Sequence, residues 1–204
     1  MKKIDTIVFD LGGVLVELGG MKTMHSWMGN KYNDEDLMEL WLSSKTVRNF
    51  ESGKCSPEVF VENIVKELDL PVSPQQFLEQ FVTWPSGLYP GVQPLLKKLG
   101  EHYTIACLSN TNEVHWPILM NDLGLNTYFD HHFPSHLTGL FKPDSETFEY
   151  ILNSLGKSPE QVLFFDDSAT NVAAAKKLGI QAIRTVGFEE VESAVTKMNL
   201  LHAA

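Results

Sequence analysis

Asp10 stands directly after the apolar run Ile7-Val8-Phe9 and just ahead of Gly12-Gly13. A carboxylate at a strand end, beside the free backbone amides of a glycine turn, can act as a nucleophile or a metal ligand, or simply cap the turn. Ser109-Asn110-Thr111-Asn112 offers a hydroxyl and amide donors ahead of a helical pattern, which suits an anion or ordinary helix capping. Lys142, in Lys142-Pro143-Asp144, also precedes a helical pattern, where a lysine is ordinarily solvated. Asp166-Asp167-Ser168 puts two carboxylates side by side after Leu163-Phe164-Phe165, and their repulsion calls for a cation; a hard divalent ion such as Mg²⁺ meets that need. Each feature has a plain structural explanation when taken singly. Together, in order along the chain and each beside a strand end or helix start, they supply one nucleophile, one hydroxyl, one cation and a carboxylate pair.

The elements that must position these residues follow from the hydrophobic pattern. Short apolar runs at 4–9, 103–108, 162–165 and 181–186 each stop at polar residues or glycine and read as buried strands. Helical periodicity lies between them at 92–99, 113–123, 145–155, 171–178 and 189–198. Strand followed by helix, repeated, means an α/β fold: a Rossmann-like, doubly wound parallel sheet. Right-handed crossovers then bring all the polar strand ends to one edge. The first strand ends near Asp10 and the next clear one starts near Tyr103, far too long for an ordinary crossover. Residues 17–85 therefore form an insert without a convincing strand, helical at 34–50, 57–68 and 74–82, with Ser56-Pro57 and Ser73-Pro74 as cap-and-proline helix starts. Residues 1–16 and 86–204 make up the core, and Pro85, Ser86, Gly87, Pro90 and Gly91 punctuate the return to it as a hinge.

With 204 residues, 43% of them hydrophobic and 21% charged, the chain has the balance of a soluble globular protein with room for a real core. Its 26 acidic against 16 basic residues give a formal charge of −10, which argues against nucleic acid as a partner. No apolar stretch is long enough for a membrane span. Met1-Lys2-Lys3 begins like a signal peptide, but Asp5 and Asp10 interrupt the apolar segment that would have to follow, so the start is read as part of the fold. Cys55 and Cys107 stand far apart without metal-ligand spacing, as free thiols in a reducing cytoplasm would. His131, His132 and His136 lack the further clustered ligand that a zinc site needs.

The segments Ile7-Val8-Phe9-Asp10, Ile105-Ala106-Cys107-Leu108-Ser109-Asn110, Lys142-Pro143 and Leu163-Phe164-Phe165-Asp166-Asp167 resemble the signature strands of the haloacid dehalogenase superfamily, over nearly the whole chain. The resemblance implies a Rossmann-like core with an all-helical cap inserted after the first motif, matching 17–85. It implies a Mg²⁺-dependent phosphatase in which Asp10 attacks phosphorus and Ser109 and Asn110 meet the phosphoryl group, while Lys142 neutralises its charge. The metal would sit between Asp10, the Gly12 carbonyl, Asp167 and, directly or through water, Asp166. One residue departs from the pattern: the position two after the nucleophile, usually an Asp that works as general acid and base in the family's phosphatases, is Gly12. General acid–base catalysis is worth about 10²- to 10⁴-fold, so an activated leaving group such as that of glucose 1-phosphate is favoured. Asp10-Leu11-Gly12-Gly13-Val14 and Glu51-Ser52-Gly53 look like a branch with glucose-1-phosphatase-like enzymes. Glu17 could substitute as the proton donor, although a Glu at the junction is more often solvated, and His25, Trp27, Trp41, Arg48, Glu51 and Lys54 are the insert's residues for gripping a sugar, Arg48 first among them; packing competes for the aromatic ones. The expected partner is a small phosphorylated metabolite, and the expected state a monomer or weak homo-oligomer. The rival readings are a metal-independent 2-haloacid dehalogenase and a binding or regulatory module that keeps the fold.

Overall fold

The structure, a computed structural model, describes residues 4–202. Met1-Lys2-Lys3, whose place in the fold was inferred above, lie outside the described residues. In chain order, β1 (Thr6–Phe9) and β2 (Val16–Leu18) lead into five helices: α1 (Gly20–Met28), α2 (Asp34–Ser43), α3 (Lys45–Glu51), α4 (Pro57–Glu67) and α5 (Pro74–Phe81). The chain returns through β3 (Pro85–Leu88) and α6 (Val92–Gly100) to β4 (Thr104–Ser109), then β5 (His131–Pro134), α7 (Ser135–Thr138) and α8 (Ser145–Leu155). It finishes with β6 (Val162–Asp166), α9 (Ala169–Lys177), β7 (Gln181–Arg184) and α10 (Phe188–Lys197).

Five strands form one parallel sheet in the order β5-β4-β1-β6-β7, with β1 at the centre. Period-two alternation divides its side chains between two faces. Ile7, Phe9, Ile105, Cys107, Leu163 and Phe165 pack with Leu96 and Leu99 of α6 and Val191 and Val195 of α10. Val8, Ala106, Leu108, Val162 and Phe164 pack on the other side with Phe148 and Ile151 of α8 and Val172 and Ala175 of α9. Chain order moves from β1 to one side of the sheet and returns to the other, so β1 and its neighbours form the switch point where such sheets bind ligands. In-register pairing of Phe9 with both Cys107 and Phe165 sets the ends of β1, β4 and β6 at one level.

Residues 17–85 are not without strands: β2 and β3 pair antiparallel, with Val16 opposite Leu88 and Leu18 opposite Pro85. Such short segments, one holding Gly87 and a proline, carry too little alternation to be read. The helical insert between them has its own core, built on Phe50, Phe60, Phe77, Phe81 and Trp84. The single helix expected over 34–50 is two, because Ser44 turns extended and its hydroxyl accepts from Val47 N–H as the cap of α3. Ser73 caps α5 in a reciprocal capping box with Gln76, whereas Ser56 precedes α4 without a side-chain cap bond. The helix expected over 113–123 is an irregular turn that ends in a π-wound segment, Ile118–Asp122, after Pro117. Among the described residues, no helix is long and apolar enough to cross a membrane.

Candidate active site

β1 delivers Asp10 to the carboxyl edge, where its N–H donates to Phe165 O at 2.8 Å. Asp10 Oδ1 accepts from Leu11 N–H at 2.7 Å and lies 3.0 Å from Lys142 Nζ. That ammonium, in a side chain only 1% exposed, also donates to Asp166 Oδ2 at 2.6 Å. Burial opposes the lysine's charge, but Asp10 and Asp166 outweigh it and hold the ammonium above the ordinary lysine value. Asp166, fully buried at the end of β6, further accepts from Ser168 N–H at 2.8 Å and from the Asn171 carboxamide at 3.0 and 3.1 Å. These partners fix its carboxylate, which in turn fixes the lysine. Asp10 and Asp167 are less well served: burial first, and neighbouring carboxylates next, push both above the usual range.

One oxygen each of Asp10, Asp166 and Asp167 lie within 4.8 Å of one another, three hard donors around a single ammonium. That charge imbalance and donor chemistry fit Mg²⁺. The approach of Asp167 depends on Gly13, which has φ +71°; a Cβ there would stand 2.6 Å from Asp167 Oδ2. Gly12 lies in the same tight turn, in which Leu11 O accepts from Val14, Leu15 and Val16 N–H.

Ser109 is buried at the end of β4, and among the described residues no protein group engages its hydroxyl. Asn110 is committed in part: its Oδ1 accepts from Lys142 N–H at 2.9 Å and its Nδ2 donates to Lys142 O at 3.0 Å. The carboxamide thus clamps the lysine's backbone, a role that sequence reasoning missed, as it missed Asn171. Asn112 caps the segment after it, Oδ1 accepting from Val114 and His115 N–H, as the structural alternative for this stretch supposed.

From the insert, Arg48 does not reach the carboxylates. It pairs with Asp144, just beyond Lys142, and its guanidinium lies 4.8 Å from the centre of the Phe141 ring. His25 pairs with Asp34 at 2.5 Å on the surface, Trp27 packs on Phe77, and Lys54 is exposed. Glu17, on β2, is exposed as well. The expected sugar grip is therefore dispersed, because helix packing and surface pairing claim most of its members. Trp41 and Glu51 are the exceptions: with Gly12 and Ser109, Trp41 lines a cavity of about 160 Å³ between insert and sheet edge, and so does Glu51. Burial, and secondarily the charge of Asp10, push its carboxyl up to about 8. Its position is fixed by the backbone: Glu51 O meets the Ser135 hydroxyl, whose oxygen accepts from Thr111 N–H at 2.9 Å. The expected histidine trio lies along β5 and α7, with His132 and His136 both edge-on to Trp116.

A doubly wound sheet that gathers three acids and one lysine at its switch point is that of an α/β enzyme. The chain belongs to the haloacid dehalogenase-like hydrolases, whose family profile matches residues 4–179. It is 29% identical to a sesquiterpene phosphatase of Aspergillus oryzae over 95% of this chain and 93% of the relative. It is 27% identical to a D-ribitol-5-phosphate phosphatase of Bacteroides thetaiotaomicron, over 89% and 91%. A haloacid dehalogenase family enzyme from that bacterium, solved with magnesium and inorganic phosphate, superposes with a TM-score of 0.71 at 25% identity, covering 89% of this chain and 93% of that one.

Proposed function

We propose that this hydrolase is a Mg²⁺-dependent phosphatase of small phosphorylated metabolites that works through an aspartyl-phosphate on Asp10, with 86–204 and 1–16 as catalytic core and 17–85 as cap. The observation that carries the reading is the Lys142 ammonium held between Asp10 and Asp166, with Asp167 beside them. Lys142 and Leu11 N–H hold Asp10 Oδ1, which leaves Oδ2 to attack phosphorus as the ester P–O bond breaks. Ser109 donates to a phosphoryl oxygen, Lys142 offsets the charge that develops there, and Asn110 positions the lysine. Asp10, Asp167, the Gly12 carbonyl and, directly or through water, Asp166 would hold Mg²⁺, which supplies charge stabilisation to the phosphoryl group. Glu51, protonated at neutral pH by its burial, stands in the cavity where the leaving alcohol needs the proton that Gly12 cannot give. Water then hydrolyses the acyl phosphate, giving up to Glu51 the proton that the leaving alcohol took, and phosphate is released as Asp10 is restored.

The phosphatase names of the two relatives support this reading. Both cysteines are free, and burial pushes the Cys107 thiol up to about 12, which agrees with a cytoplasmic protein that makes no use of them. The test is hydrolysis of p-nitrophenyl phosphate by the purified chain. We expect turnover with Mg²⁺, none in EDTA, and a loss of at least ~10³-fold in Asp10→Asn. Turnover retained by Asp10→Asn, or halide release from 2-chloropropionate in EDTA, overturns the reading.

A further inference from the structure

We infer that the cavity under the cap receives the alcohol part of the substrate and that this alcohol is apolar, so the protein's substrate is the monophosphate ester of a hydrocarbon-like alcohol. The inference rests on the phosphatase reading and adds the leaving group to it.

The walls facing Gly12 and Ser109 are Met21, Met24, Leu37, Trp41, Phe81 and Trp84. Three of the polar side chains that share the lining, those of Asn110, Asn112 and His115, are engaged by the protein itself. Asn112 Oδ1 accepts two backbone N–H groups, and its Nδ2 lies 3.2 Å from His115 Nδ1. His115 Nε2 lies 2.7 Å from Phe81 O, so that nitrogen carries the proton and Nδ1 accepts from Asn112. Asn110 holds the Lys142 backbone. The Ser109 hydroxyl and the Glu51 carboxyl serve the phosphoryl and ester-oxygen end, and the buried Trp84 Nε1–H, without a partner among the described residues, is a donor left on the walls. A polyol has more hydroxyls than this lining has free partners, and each one left buried and unpaired costs about 10- to 100-fold in affinity.

Two further observations point the same way. Leu18 Cδ1 lies 2.9 Å from where a Cβ on Gly12 would be, so methyl groups fill the space beside the nucleophile. Leu18 and Met38, 53% and 40% exposed, carry the apolar lining out to the surface. An apolar cavity of about 150 Å³ holds one six-carbon ring, so a ring or a short branched chain fits inside and a longer chain leaves past that rim. The three methionines in the lining, flexible and polarizable, adapt to either shape.

The experiment compares kcat/KM for geranyl, benzyl, glucose 1- and ribitol 5-phosphates on the full chain with Mg²⁺, with acetyl phosphate as a probe of phosphoryl transfer that has no apolar body. We expect the better of geranyl and benzyl phosphate to exceed both polyol phosphates by at least ~100-fold, and their ratio to distinguish a chain from a ring. In Met38→Gln, at an exposed position that leaves folding intact, the geranyl-to-acetyl ratio should fall ~10-fold. Acetyl phosphate turnover with polyol phosphates cleaved as well as the apolar esters, or a ratio unmoved by Met38→Gln, overturns the assignment of the leaving group alone. Absence of acetyl phosphate turnover overturns the phosphatase reading beneath it.

Discussion

Lys142 and Glu51 show opposite consequences of burial at one site. The lysine is charged because two carboxylates enclose it. The glutamate is pushed toward its neutral form, because burial and the charge of Asp10 disfavour the ionised one. Replacing Lys142 by Met leaves Asp10 and Asp166 buried and uncompensated, so we expect a loss of about 3–5 kcal/mol, read by denaturant unfolding. In the Lys142→Met, Asp166→Asn pair the loss should be partly recovered, since one of the two stranded charges is gone. Glu51→Gln keeps shape and removes the proton. Its kcat should fall by about 10²-fold with an alkyl phosphate and far less with acetyl phosphate, whose leaving group needs no proton. Equal losses on both substrates would show that Glu51 shapes the cavity without serving the leaving group.

At the scale of elements, insert and core are fastened at separate points. Arg48 pairs with Asp144, the Glu51 carbonyl meets Ser135, and His115 reaches Phe81 O at the end of α5. Gly53, with φ +69°, lies so close to the core that a Cβ would stand 2.2 Å from His136 O. Gly53→Ala, strained and sterically blocked, should displace the turn that carries Glu51 and destabilise the fold by at least ~1 kcal/mol, as a lowered melting temperature would show. The imidazole of His115 is held neutral, lowered to about 4 by burial. Its folded value lies below its unfolded one, so the stability it contributes is present above pH 6.5 and is lost as pH falls toward 4. By pH 5 the loss is about 2 kcal/mol, and the steeper acid slope of wild type over His115→Gln measures it.

The apolar runs that end at Asp10, Ser109 and Asp166 were legible in the sequence because strands buried on both faces are hydrophobic throughout. β5 was not, because it is an edge strand opening on two histidines, His131 exposed. α1 was also missed; it starts at Gly20 without a side-chain cap. The acids and the lysine at the site were readable from residue type and position. The disposition of Arg48 was not, because a long side chain on a helix gives no sign of which neighbour it meets until the helices pack.

Over the whole molecule, the charge of −10 and an acidic site are reconciled by local positive charge, from Lys142 and, in the proposed mechanism, from Mg²⁺. Binding to the folded state alone stabilises it by mass action, about 2.7 kcal/mol at a concentration 100 times the Kd. Millimolar Mg²⁺ should therefore raise the melting temperature by several degrees, and Asp167→Asn should abolish most of that rise; an equal rise in the variant would place the ion elsewhere. The β2–β3 pair joins insert to core, and its register has a practical meaning. Because Leu18 and Pro85 are opposite each other, the chain leaves and re-enters the sheet domain at adjoining points. A tight reverse turn spliced between them would close a hairpin without displacing β1 or α6, so the helical portion can be exchanged or enlarged as a cassette on an unchanged scaffold, provided that the replacement brings a proton donor in place of Glu51.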